Sequence, residues 1–301
     1  MRKESVVLTP KIDRPIDTLT LAILREVRDV ATELGLEMFL MGATARIILL
    51  EHVYGLRTGR ATRDVDFAFA VENWSQFQAV KQCLIATSRF EAIERVEQRL
   101  LYKSAGIKHT FAVDIIPFGG LAGENNMIAW PPDMSFLMSV AGYADVQASA
   151  VNVEVEPRLA ISIASIPGLA ILKFFAWLDR GLEDPKDAID LVTLLQQYSE
   201  AGNQERVYEE AVAELEAAGY DVELAGAWLL GVDAAALSSP ATRSQLDALF
   251  AEPSLVERLV TDMSRAMRAR EDALDYSRTL LKAFLKGLNV PTTASAIQQV
   301  V

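Results

Sequence analysis

Arg63-Asp64-Val65-Asp66-Phe67-Ala68-Phe69-Ala70-Val71 is the stretch on which the reading of this chain turns. Valine and phenylalanine suit a pleated, half-buried surface, and the polar run before it, with Gly59 and Thr62, supplies a loop, so the segment reads as a strand. Residues two apart in a strand share a face, which sets Asp64 and Asp66 side by side and turns Val65 into the opposite layer. Two carboxylates so placed repel unless a cation sits between them or water screens them. Magnesium suits the first case, because it takes oxygen ligands, commonly one or two carboxylates with phosphate oxygens and water. A solvated Asp-x-Asp at a strand edge would show the same residues, and the pair alone does not choose between the two.

The flanking segments add weight to the first case. Upstream, Glu37-Met38-Phe39-Leu40-Met41 reads as a short buried strand that ends at Gly42, where the missing Cβ permits a tight turn and close approach of a phosphate. From Thr44 onward, Ala45, Ile47, Ile48, Leu49 and Leu50 suit a buried helix whose first N–H groups face that turn. Thr44 is then either a helix N-cap or a phosphate donor, and the roles are compatible. Downstream, Ile107–Ile116 alternates apolar with more polar residues before Pro117 and Gly119-Gly120 stop the strand. Its Asp114, between Val113 and Ile115, needs a partner, since an uncompensated buried charge is very unfavourable. Should this strand lie beside Asp64 and Asp66, all three acids meet.

Gly42-Ala43-Thr44, the run Thr62-Arg63-Asp64-Val65-Asp66-Phe67, and Asp114 resemble the DNA polymerase β-type nucleotidyltransferase superfamily, and within it the AbiEii/AbiGii-type toxins of bacterial toxin–antitoxin systems. Ala43 replaces the middle glycine of the usual turn. A second block is similar to the family's helical segment: Ile166–Arg180 with Lys173 and Arg180, then Pro185-Lys186-Asp187-Ala188-Ile189-Asp190-Leu191. The resemblance implies that Gly42, Ala43, Thr44, Arg63, Lys173 and Arg180 bind the nucleotide. It implies that Asp64, Asp66 and Asp114 hold two Mg2+ ions, with Mn2+ as a substitute, that Lys173 faces the triphosphate, and that Asp187 helps position Lys173 or the substrate. A lysine laying its stem over apolar surface and an aspartate at a helix start are the plain readings of the last two. It further implies transfer of a nucleoside monophosphate from a nucleoside triphosphate to the 3′ end of a tRNA, and a cognate antitoxin. A protein hydroxyl or an aminoglycoside-like sugar is the alternative acceptor, and a non-catalytic nucleotide-binding module is the alternative without chemistry.

Element order gives an α+β fold, mixed sheet and helices over residues 1–165 and all-α over 166–301; the resemblance implies that the first is the nucleotidyltransferase catalytic domain and that the second completes the active-site cleft. Helices are expected over 16–35 and 74–87, strands near 96–102, 148–155 and 158–163, and helical breaks near Gly202, Gly219, Gly231 and Pro240. No apolar run approaches the roughly 18 residues needed to cross a bilayer, and no signal peptide opens the chain, so a cytoplasmic protein without membrane contact is expected. One cysteine, Cys83, reads as a buried small residue, and two histidines, His52 and His109, make a His/Cys zinc site a poor expectation. The net charge of −12 is opposite to that of a general nucleic-acid binder.

Overall fold

The computed structural model describes residues 7–59, 62, 64–94, 96–104, 110–123 and 126–290. The chain folds as two compact units, Met1–Ala164 and Ser165–Val301.

The first unit is built on a seven-stranded mixed sheet. Helix α1 (Thr18–Leu34) starts where the Asp17 carboxylate accepts from the N–H groups of Leu19 and Thr20, and ends at Gly35 in the left-handed region, φ 63°. It buries Ile23, Leu24, Val27, Val30 and Ala31. Strand β1 (Met38–Met41) leads directly into α2 (Gly42–Ile47), which continues as a π-helical turn over Ile48–Val53. Then follow β2 (Asp64–Val71), α3 (Trp74–Ala86), β3 (Phe90–Ile93), β4 (Val96–Tyr102) and β5 (Phe111–Gly119). A separate hairpin, β6 (Met127–Trp130) and β7 (Phe136–Ser139), and a short helix α4 (Tyr143–Ala148) precede β8 (Val151–Glu156) and β9 (Leu159–Ile163). The sheet order is β3-β4-β5-β2-β1-β9-β8. Within it β1 runs antiparallel to β2, and β2 runs parallel to β5. The middle strands are almost wholly apolar, with Phe39, Leu40, Phe67, Ala68, Phe69, Val113 and Ile115 fully or nearly fully buried, as layers on both faces require.

Two expectations are corrected here. Pro117 does not stop β5, which runs to Gly119. The register of β4 on β5 covers Phe111 to Asp114, so Pro117 lies beyond it and its missing N–H is not needed on that side. The stretch Trp130-Pro131-Pro132 leads from the first to the second strand of the β6–β7 hairpin. Cys83 is half-buried, on the flank of the α3 stripe formed by Phe77, Val80, Lys81 and Leu84.

The second unit is helical: α5 (Ile166–Arg180), α6 (Lys186–Gln197), α7 (Gln204–Glu210), α8 (Val212–Ala217), α9 (Val222–Leu237), α10 (Pro240–Phe250), α11 (Pro253–Ser264) and α12 (Ala273–Leu288). Serines cap α5 and α10, with Ser165 accepting from Gly168 N–H and Ser239 from Thr242 N–H, each ahead of a proline in the first turn. Gly231 is not a helix break; it lies inside α9, where a Cβ would stand 2.0 Å from the Phe284 carbonyl oxygen of α12. The glycine is there for close helix approach. Among the described residues no helix is long and apolar enough to cross a membrane.

Candidate active site

The turn after β1 lies directly against β2. Met41 is level with Asp66 in the β1–β2 register, and the next residue, Gly42, has φ 72°. A Cβ on Gly42 would stand 2.0 Å from Asp66 Oδ2 and 2.8 Å from its Cγ. Both the backbone conformation and the carboxylate beside it therefore require glycine. Ala43 is buried, so its methyl group turns into the protein and the alanine is accommodated there. Thr44 is not the N-cap. That place belongs to Met41, which makes no side-chain capping bond, and the buried Thr44 hydroxyl instead donates to the Asp64 carbonyl at 2.8 Å. Thr44 thus ties the turn to the first residue of β2.

Strand register sets the three acids on two neighbouring strands. β5 lies beside β2 in parallel, with Asp66 level with Asp114 and Asp64 with Ala112. Asp64 and Asp66 are half-buried, and Asp114 is 9% exposed. The Thr62 hydroxyl donates to Asp64 Oδ1. Asp114 has the partner its apolar neighbours demand. Arg99, directly across from it on β4, donates from Nε to Oδ1 at 2.6 Å and from Nη2 to Oδ2 at 2.7 Å. The bond to Asp114 holds the Arg99 guanidinium protonated well beyond its usual range, burial opposes this, and the fields of Asp114, Asp64 and Asp66 add to it. Sequence reasoning missed Arg99. Its signal was the alternating charged strand Val96–Tyr102, but only the register shows which residue of that strand faces Asp114.

Among the described residues no three acidic, histidine or cysteine side chains converge closely enough to hold a metal ion. Asp64 and Asp66 nevertheless form a hard-oxygen donor pair beside a glycine turn. A guanidinium already drawn to the third carboxylate marks the place as one that attracts cations. This donor set fits Mg2+ completed by substrate phosphate oxygens.

The second unit holds its own charged cluster. Lys173 of α5 is buried and donates from Nζ to Asp187 Oδ1 at 2.8 Å and to Asp190 Oδ2 at 2.6 Å. Arg180, at the end of α5, donates from Nε to Asp187 Oδ2 at 2.7 Å and from Nη2 to Oδ1 at 3.1 Å. Burial works against the charged Asp187, but Lys173 and Arg180 outweigh it and hold the carboxyl at about 2. Burial likewise works against the Lys173 ammonium, and Asp187 and Asp190 outweigh it, raising its pKa. Asp190 was not among the expected site residues, although its spacing of three from Asp187 puts both on one face of α6. Of the expected residues, Gly42, Thr44, Asp64, Asp66 and Asp114 gather in the first unit, and Lys173, Arg180 and Asp187 in the second. Arg63 lies outside the described residues.

Residues 24–296 match the family model described as nucleotidyl transferase AbiEii toxin, Type IV TA system. No curated protein matches the chain in sequence. Among solved structures, an antigenic nucleotidyltransferase-like protein from Paracoccidioides brasiliensis is similar over 69% of this chain and 93% of its own, at 12% identity and a TM-score of 0.41. The antibiotic-resistance factor ANT(2'')-Ia is similar over 68% of this chain and 99% of its own, at 15% identity and a TM-score of 0.37. A CCA-adding enzyme solved with ATP is similar over 96% of this chain and 77% of its own, at 14% identity and a TM-score of 0.27.

Proposed function

This chain belongs to the AbiEii family of nucleotidyl transferase toxins of type IV toxin–antitoxin systems, and on that premise we propose that it moves a nucleoside monophosphate from a nucleoside triphosphate to an acceptor hydroxyl, the 3′ end of a tRNA. The observation that carries the reading is the level placement of Asp66 and Asp114 on parallel neighbours, under a glycine turn that admits no side chain.

Asp64 and Asp66 would hold Mg2+, which when bound would neutralise charge on the phosphates. The chain's own residues do the rest. Gly42 and the backbone of Ala43 and Thr44 leave room for the triphosphate against β2. Thr44 keeps that turn in register with Asp64 through the hydroxyl–carbonyl bond. With Arg99 displaced from it, Asp114 takes the proton of the attacking hydroxyl, whose oxygen forms the new P–O bond to the α-phosphate as the bond to pyrophosphate breaks. In the second unit, Asp187 and Asp190 hold the buried Lys173 ammonium. The family's toxin–antitoxin setting implies a cognate antitoxin.

The test is incubation of the purified protein with each α-labelled nucleotide, magnesium and total RNA, beside Asp64→Ala and Asp66→Ala, followed by a denaturing gel. Label is expected in a tRNA-sized band with the native protein and at background with either variant, both variants melting near the native temperature. Full transfer by either variant would overturn the assignment. The net charge of −12 favours a second acceptor class, a protein or small aminated-sugar hydroxyl, and label on one of these instead of RNA would select it.

A further inference from the structure

Arg99 takes both oxygens of Asp114, the two atoms through which that acid would bind a divalent ion. A planar guanidinium on a carboxylate in this two-pronged manner is among the stronger side-chain pairings, and a phosphoryl group offers the same fork an equivalent partner. The two members of the pair are not equally placed. Asp114 is 9% exposed on a strand flanked by β2 on one side and β4 on the other. The Arg99 side chain is 39% exposed and stands at the last paired position of β4, where the β4–β5 register ends. The acid is fixed, and the arginine is the member with room to move.

From this geometry, and resting on the nucleotidyl-transfer reading, we propose that Arg99 is a substrate-released latch. In the nucleotide-free protein it stands at Asp114 in place of a second divalent ion, and phosphoryl oxygens arriving at Asp64 and Asp66 draw it away. Without Arg99, Asp114 would face Asp66 across one strand spacing and lack its two-pronged contact. The same contact that compensates the charge of Asp114 therefore competes with metal. Arg99 makes filling of the third carboxylate conditional on substrate.

The test is Mn2+ binding to the nucleotide-free, full-length protein, read from the electron paramagnetic resonance signal of unbound Mn2+. Arg99→Gln is expected to bind Mn2+ about ten-fold more tightly than the native protein, or to take up an additional ion, as removal of a competing charge next to a ligand predicts. Adding Asp114→Asn to Arg99→Gln should return binding to the native level. Arg99→Lys, which keeps a point charge but loses the fork, should shift binding in the same direction by less, and it serves where the glutamine variant fails to fold. Native Mn2+ affinity in a folded Arg99→Gln or Arg99→Lys protein overturns the latch while leaving nucleotidyl transfer standing. No Mn2+ binding by native protein and variants alike overturns the latch and leaves nucleotidyl transfer standing, since that ion is completed by substrate phosphate oxygens. Tighter binding in Arg99→Gln, from a native protein that labels no RNA or other acceptor, supports the latch and removes the transfer reading.

Discussion

At the scale of single residues, Gly42 is the position with the least latitude. Gly42→Ala would combine a left-handed backbone with a methyl group at 2.0 Å from Asp66 Oδ2, so the carboxylate must move. A shift of that size in a reacting geometry predicts a loss of about 100-fold in label transfer, with a folded protein by circular dichroism. Asp187 makes a different prediction, one of stability. Removing one partner of a buried ion pair leaves the other charge uncompensated, so Asp187→Asn should lower unfolding free energy by about 3 kcal/mol in urea titrations. The pH dependence follows from the depressed carboxyl, held at about 2 against an ordinary value of 3.8. A depressed acid contributes stability that is complete above its unfolded value and is lost as pH falls toward its folded one, here about 2 kcal/mol in all. The stability gap between native protein and Asp187→Asn should therefore close by that amount as pH drops from about 5 to about 2. Lys173 has the opposite sign: its raised pKa contributes below its ordinary value of 10.5 and is lost only in stronger alkali. The acids were legible in the sequence because aspartates in apolar strands require an explanation of their own. Arg99 and Asp190 were not, since each is identified by what it faces.

At the scale of elements, α9 and α12 interlock through reciprocal glycines. A Cβ on Gly231 would meet the Phe284 carbonyl oxygen at 2.0 Å, and one on Gly287 would meet the Trp228 carbonyl oxygen at 1.9 Å. Both obstacles are backbone, so relief requires the helices to part. Gly231→Ala should cost about 2 kcal/mol or more in thermal or urea unfolding despite alanine's better helix propensity, the signature of overpacking. A glycine reads as a break when only its local preference is weighed, which is why Gly231 was expected to end a helix. Strands β1, β2 and β4 stood out by composition and alternation, and β2 begins and ends where the Val/Phe run does. The short β3 and the β6–β7 hairpin carry too few residues, and too much proline, for a periodic pattern to emerge. Pro117 misled in the same way as Gly231, because whether a strand tolerates proline depends on the neighbour at that point.

At the scale of the whole molecule, the change from mixed sheet to helices is visible in the sequence as a change of period, and the boundary between the two units falls between Ala164 and Ser165. The charge of −12 predicts that any RNA affinity rests on few phosphate contacts. A plot of log affinity against log salt should have a slope no steeper than about −3, measured by filter binding. A slope of about −6 or beyond would reveal an extended basic track that the composition does not foretell. The sheet order has a further consequence, for the timing of synthesis. Asp66 and Asp114 become neighbours only when β5 joins β2 in parallel, across an intervening helix and two strands, and β1 gains its second neighbour only when β9 is made. Such long-range pairings form late compared with local ones. A chain still emerging from the ribosome therefore carries Gly42, Asp64 and Asp66 without their full sheet, and the transfer activity proposed for it has no assembled site until nearly all of the first unit has been translated.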